Sequence, residues 1–240
     1  VEGRRAVGVE SPRGMTRAKW VVANADYHHA EQDLVPAKHR VYSESYWDSR
    51  AMSPSSLLFY VATDCPLPNL RHHNLYFDED LQQHAHEIYE DPKWPAKPLF
   101  YVNCPSRTDP SLAPEGHEAM MILIPLAPGL DDPDETRERY WDVVLDRLER
   151  YTGHAIRDHV VVKRSYAHRE FIADYHAYKG NAYGLANTLG QTAIFKPALR
   201  SKRVKNLYYA GQLTSPGPGV PPSLISGQVV AGLIAKEHQK

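Results

Sequence analysis

The 240 residues carry 28 Lys and Arg against 29 Asp and Glu, a formal net charge of −1, so no global field gathers nucleic acid onto the chain. With 42 % hydrophobic residues, this length supplies the core of one large domain or two small ones. The two cysteines, Cys65 and Cys104, each precede Pro and make no disulfide framework; no apolar run approaches the roughly 20 residues of a spanning helix, and no secretory signal peptide is visible.

Residues 5–10 and 19–23 cluster β-formers about Pro12-Arg13-Gly14, the pattern of a hairpin. Val21-Val-Ala-Asn-Ala-Asp26 reads as a buried strand ending in small polar residues, with Asn24 or Asp26 placed to cap a following helix. From about 35 to 195 prolines and aromatics rise and short strands follow one another at 56–63, 74–77, 99–102 and 120–126, a mostly antiparallel sheet of at least four strands. The strand 56–63 is apolar on both faces, Leu57, Phe59 and Val61 against Leu58, Tyr60 and Ala62, which predicts burial on both sides. Asp132 as N-cap, Pro133 in the first turn and Glu135 as capping-box partner open a helix. Trp141, Val144, Leu145, Leu148 and Tyr151 form its apolar stripe, and Gly153 ends it. A further strand follows at 160–163, then a stretch mixing His168, Phe171, Tyr175, His176 and Tyr178. No internal repeat is evident.

Residues 206–232 read as strand, glycine-proline loop and helix. Leu207, Tyr208 and Tyr209 make a short buried strand ended by Gly211. Gly217 and Gly219 allow a close backbone approach while Pro216 and Pro218 stiffen the loop. Pro221 and Pro222 suit a helix's first turn, and the helix that follows sets Ser223, Ser226, Gly227, Ala231 and Gly232 on one side. Its N-terminus favours an anion, or a group that becomes anionic, with free N–H groups expected at Ser223 and Leu224.

The run Tyr209-Ala-Gly-Gln212, Pro216-Gly-Pro-Gly-Val-Pro221 and Ser226-Gly227 resembles the C-terminal flavin-binding signature of the bacterial-type phytoene desaturases, FAD-dependent carotenoid desaturases within the wider amine-oxidase and GDP-dissociation-inhibitor-like flavoproteins. Asn24-Ala-Asp26 is similar to the family's segment where the chain leaves the FAD domain, and 180–192 to its glycine-rich segment before the last FAD strand. The resemblance implies a mixed α/β (α+β) fold: the C-terminal portion of a glutathione-reductase-like FAD-binding fold, with an inserted antiparallel-sheet substrate domain and without the N-terminal Rossmann βαβ. On this reading 1–34 is the return segment of the FAD-binding domain, 35–195 the substrate-binding domain, and 196–240 the final FAD-binding strand, loop and helix. The residues expected to contact FAD are Gly211, Gln212, Gly217, Gly219, Val220, Pro221, Ser223 and Leu224. Gln212 stands where many relatives carry an acidic residue. Gly-x-Gly-x-x-Gly, which opens the family's chains, is absent; the only Gly-x-Gly is Gly217-Pro218-Gly219. The chain therefore reads as the C-terminal half of a protein about twice as long, or as a short protein whose first half is a separate chain.

The implied activity is desaturation of a long apolar carotenoid precursor by hydride transfer to FAD. Strand 56–63, Phe100, Tyr101, Phe171 and Tyr183 are candidates for the substrate tunnel. His168, Glu170 and Asp174 are candidate acid/base groups, and no catalytic residue is assigned. Lys196, Arg200, Lys202, Arg203 and Lys205 read as a solvated turn or as contacts to anionic lipid, the second implying peripheral attachment to the cytoplasmic face of the membrane. His84 and His86 would point to opposite sides of a helix over 81–89, and with no Cys-x-x-Cys or His-Glu-x-x-His no metal is expected. Alternatives of the same fold are a carotenoid isomerase or oxidase, an amine oxidase, and a non-enzymatic lipid-binding escort.

Overall fold

The computed structural model describes residues 1–239. In chain order these form strands β1 (Gly8–Ser11), β2 (Gly14–Arg17) and β3 (Val21–Ala23), helices α1 (Tyr27–His29) and α2 (Glu44–Asp48), β4 (Ser55–Thr63), β5 (His73–Tyr76), α3 (Leu81–Tyr89), β6 (Phe100–Asn103), β7 (Glu118–Leu126), α4 (Asp134–Thr152), β8 (Val160–Tyr166), α5 (His168–Tyr175), β9 (Leu207–Tyr209) and α6 (Val220–His238). The fold is mixed α/β. Two compact units share the chain, Val1–Ser53 with Ile172–Lys240, and Pro54–Phe171. The compositional span 35–195 is wider than the second unit, because residues 35–53 and 172–195 pack with the first.

In the first unit β3 and β9 run parallel, with Val21 opposite Leu207 and Ala23 opposite Tyr209. The hairpin forms between β1 and β2, so its second arm is 14–17 and not 19–23. Gly14, at φ 101°, takes the tight turn. Gly8 admits no side chain, since a Cβ there would lie 2.2 Å from Thr16 O. Of the two capping candidates Asp26 fills the role, its Oδ1 accepting the His29 N–H at 3.2 Å. Tyr27 stacks on Tyr209 with centroids 3.9 Å apart, in a core that also buries Trp47, Leu207 and Leu213. Asn206 staples β1's approach to β9: its Oδ1 accepts the Ala6 N–H at 2.8 Å, and its Nδ2 donates to Ala6 O at 2.8 Å and Lys19 O at 2.7 Å.

The second unit is a five-stranded antiparallel sheet in the order β5-β6-β7-β4-β8. One face carries Leu57, Phe59 and Val61 of β4 with Ile122 and Ile124 of β7, all buried against Trp141, Val144, Leu145 and Leu148 of α4. The other face is open: Tyr60 is 44 % exposed, with Leu58 and Ala62 half-buried. The expectation of burial on both sides of β4 is thus corrected, because a single helix layer covers one face of this antiparallel sheet. At the head of α4 the capping expectation also fails. Asp132 gives both carboxylate oxygens to the Arg137 guanidinium, Nε to Oδ1 at 2.7 Å, and Pro133 becomes the N-cap with no side-chain bond. Tyr151 lies half in solvent with its hydroxyl on Asp78 Oδ2 at 2.8 Å, while Gly153 ends the helix at φ 72°. Asp80 caps α3 through the Gln82 and Gln83 N–H groups.

Candidate functional site

The site grows from the carboxyl ends of β3 and β9. Past Tyr209 the chain turns at Gly211, φ 122°, whose N–H donates to Ser226 Oγ at 2.8 Å. That bond ties the loop to α6, and Ser226 Oγ in turn donates to Ser223 O at 2.6 Å. Gly217 and Gly219 then take φ of 135° and 106°, values that favour glycine, and α6 begins at Val220. Beside this turn lies a cavity of ≈ 610 Å³. Of the eight residues expected there, Gln212, Gly219, Val220, Ser223 and Leu224 line it.

Three of the eight do not line it. Gly211 sits behind the wall, where a Cβ would stand 3.6 Å from Asn24 Oδ1. Gly217 faces Lys196, whose Cε would be 3.1 Å from a Cβ at that position. Pro221 is exposed on the first turn. The free N–H groups are also not those of Ser223 and Leu224: Ser223 N–H closes on Gly219 O at 3.0 Å. Since Pro221 and Pro222 have no N–H, the amides of Gly219 and Val220 are the donors left at this helix end.

The structure adds Val22, Asn24, Ala182, Tyr183, Ala210 and Gly227 to the lining. Asn24 lay within the strand-end motif and Ala182 and Tyr183 within the glycine-rich segment, yet nothing in their spacing showed that they meet. Gly227 borders open space, for a Cβ there would meet no atom within 4 Å.

Other candidates are used structurally. His168 Nε2 donates to Ala127 O at 2.8 Å, and burial pushes its imidazole below the ordinary value. Glu170 pairs with Arg137 at 2.7 Å. Phe171 packs edge-on against Tyr166, and Phe100 is buried in the sheet core. His84 is buried, donating Nε2–H to Pro125 O at 3.0 Å and accepting the Leu99 N–H on Nδ1 at 3.1 Å, while His86 is exposed and paired with Glu90. Among the described residues no group of three or more His, Cys, Asp or Glu is placed to hold a metal. The basic run is not one surface patch. Lys196 is only 5 % exposed, its ammonium 3.5 Å from Leu185 O, and burial pushes its pKa down. Arg200 pairs with Glu237.

Tyr101 belongs to a second cavity, ≈ 340 Å³, walled by Leu75, Leu81, Ile88, Leu123 and Pro125 in the Pro54–Phe171 unit. Leu58, Tyr60, Met121, Leu123 and Tyr101 share the open sheet face, by the pairings Leu58 to Leu123, Tyr60 to Met121 and Tyr101 to Leu123.

No protein-family model matches the chain. It is 41 % identical over 230 residues to a carotenoid 3,4-desaturase of Haloarcula japonica, a match covering 95 % of this chain and 46 % of that protein. It is 31 % identical over 240 residues to a zeta-carotene-forming phytoene desaturase of Myxococcus xanthus, covering 95 % of this chain and 44 % of that one. The chain belongs to the carotenoid and phytoene desaturase family. It spans about half the length of the curated relatives it matches. In fold, this desaturase-family chain is similar to the crystal structure of an oxidoreductase from Methanosarcina mazei, with a TM-score of 0.57 at 16 % identity, over 97 % of this chain and 47 % of that one.

Proposed function

We propose that the chain is the C-terminal part of an FAD-dependent oxidoreductase that desaturates a long apolar carotenoid precursor, built on a glutathione-reductase-like fold. The observation that carries this reading is the cleft at the carboxyl ends of the parallel pair β3 and β9, closed by the first turn of α6. Crevices at the carboxyl ends of parallel strands are where such folds bind nucleotide cofactors.

The cleft suits a flat ring system with one polar edge. Its walls are small or apolar at Val22, Ala182, Ala210 and Gly227, and its polar residues are Asn24, Gln212, Tyr183 and Ser223, with the backbone of Gly219 and Val220 beside them. A flavin bound there would supply the two-electron acceptor that no side chain offers. This chain's part is to hold and polarise. The amino end of α6 favours negative charge beside it, and Gln212 can donate where an acidic residue would only accept. The resemblance gives residues 1–34 and 196–240 to cofactor binding and 35–195 to substrate.

The open apolar sheet face and the cavity around Leu75, Leu81 and Tyr101 support a hydrocarbon substrate, since burying such surface is worth about 25 cal/mol per Å². We place the protein at the cytoplasmic face of a membrane, where such a substrate dissolves. Among the described residues no helix is long and apolar enough to cross one. The test is the absorption spectrum of the purified full-length protein. A flavin band, with FAD released on denaturation, is expected; a folded, colourless protein that still binds carotenoid would make it an escort instead.

A further inference from the structure

Away from the cleft, a cavity of ≈ 430 Å³ in the first unit is lined by Arg4, Lys38, His39 and Arg203. These residues come from three separate segments: the approach to β1, the turn after α1 and the turn before β9. We propose that they form a binding site for a phosphate-bearing anion.

Three observations converge on the same cavity. First, its cations have no counter-charge: no carboxylate among the described residues forms an ion pair with Arg4, Lys38 or Arg203. Three like charges around one cavity repel each other, and an anion of more than one negative charge is the ligand class that removes that repulsion.

Second, the two guanidiniums are held in place by backbone. Arg4 donates Nε to Arg203 O at 3.2 Å and Nη2 to Lys202 O at 3.0 Å, and Arg203 Nη1 donates to Lys38 O at 3.5 Å. Lys205 N–H closes on Arg4 O at 2.9 Å, and Asn206 fixes the strand behind them. Each guanidinium keeps N–H donors beyond those bonds, and planar guanidinium forks match phosphate oxygens.

Third, His39 is 8 % exposed and its Nε2 has no hydrogen-bond partner. Buried polar atoms of side chains are nearly always satisfied, so an orphan nitrogen on a residue that lines this cavity leaves hydrogen-bonding capacity there for a ligand. Burial, with Lys38, Arg203 and Arg4 close by, pushes the imidazole below its ordinary value. A bound phosphate would reverse that field. The volume lies within the range of small-molecule sites.

A phosphate monoester can arrive free in solution or as a lipid headgroup, and the experiment separates the two. The full-length protein is titrated calorimetrically with inorganic phosphate, and floated with phosphatidylcholine vesicles with or without phosphatidic acid. Lys38→Glu and Arg203→Ala are compared with wild type, their melting temperatures confirming the fold. Lys38 is the cleaner probe because its ammonium holds no bond in the structure, whereas Arg203 braces a turn. His39→Phe keeps the volume and removes the nitrogen.

The expected result is saturable binding, weakened about tenfold by each lost charge, the size of one charge-assisted hydrogen bond, and weakened by salt. Response to inorganic phosphate assigns the site to a soluble phosphate. Flotation that depends on phosphatidic acid and on Lys38, without measurable affinity for inorganic phosphate, assigns it to a headgroup. Binding that is absent in both assays, or unchanged in Lys38→Glu and His39→Phe with the fold intact, overturns the proposal.

Discussion

Tyr209 donates its hydroxyl to Glu31 Oε1 at 2.8 Å with both side chains shut away from solvent. The other oxygen, Oε2, accepts the Val41 N–H at 2.8 Å and the Tyr42 N–H at 2.9 Å. One buried carboxylate thus anchors β9, through Tyr209, to the loop before α2. Burial, with the Glu31 charge beside it, holds the Tyr209 phenol far above its ordinary range, so it remains a donor at any physiological pH. Glu31→Ala strands three donors and should cost about 3 kcal/mol or more, and Tyr209→Phe about 1.5–3 kcal/mol. Urea-unfolding midpoints of the two variants check this, with the glutamate change the larger.

The Arg137 guanidinium makes an acid-sensitive contribution. It lies between Asp132 and Glu170 and also donates to Ser165 Oγ at 3.1 Å. Burial raises the Glu170 pKa, but the bonds from Arg137 and the Ala167 N–H outweigh it and leave the carboxyl below its ordinary 4.5. A depressed folded value means that the folded state binds fewer protons than the unfolded one. The contribution is therefore complete above about 4.5 and lost as pH falls through the lower folded value. Stability measured by urea from neutral pH downward should decline in that window, and Glu170→Gln should flatten this part of the decline. Arg137→Ala, which leaves buried Asp132 with only the Arg169 N–H at 3.1 Å and the Arg169 guanidinium at 3.9 Å, should cost about 3 kcal/mol at neutral pH.

A substitution at Gly227 would separate the proposed cofactor binding from folding. It lies in the middle of α6 and borders open cleft space. Gly227→Ala should stabilise the helix by up to about 1 kcal/mol. Gly227→Leu should fold as well but fill the cleft. Its flavin content, read as the ratio of visible to protein absorbance, should fall while its melting temperature without flavin stays at or above wild type.

The elements that read correctly from sequence were those with local causes. The α3 span follows its Asp80 cap, α4 ends where Gly153 takes positive φ, and the antiparallel strands follow their alternation of apolar residues. Pairings between distant residues were hidden. Nothing in 19–23 tells that Val21 seeks Leu207 rather than the hairpin, and nothing near Asp132 shows that Arg137 outcompetes the helix end for its carboxylate. The cleft was half legible for the same reason. The glycine-proline motif named the wall that α6 provides, while Asn24, Ala182 and Tyr183 reach it only through tertiary folding. Lys196 stands apart from the exposed cations Arg200, Lys202, Arg203 and Lys205 with which the basic run grouped it, because its own side chain runs inward beneath Gly217.

The most direct test of the proposed oxidoreductase is a single anaerobic turnover. Full-length protein with its flavin oxidised is mixed, without oxygen or quinone, with a phytoene-like hydrocarbon in detergent or vesicles, and the flavin band and the product's polyene band are followed together. The account predicts that the flavin bleaches as the longer polyene appears, one double bond per flavin reduced, and that Gly227→Leu does neither. A flavin that stays oxidised while the bound hydrocarbon is unchanged, or is altered without gaining a double bond, would contradict it.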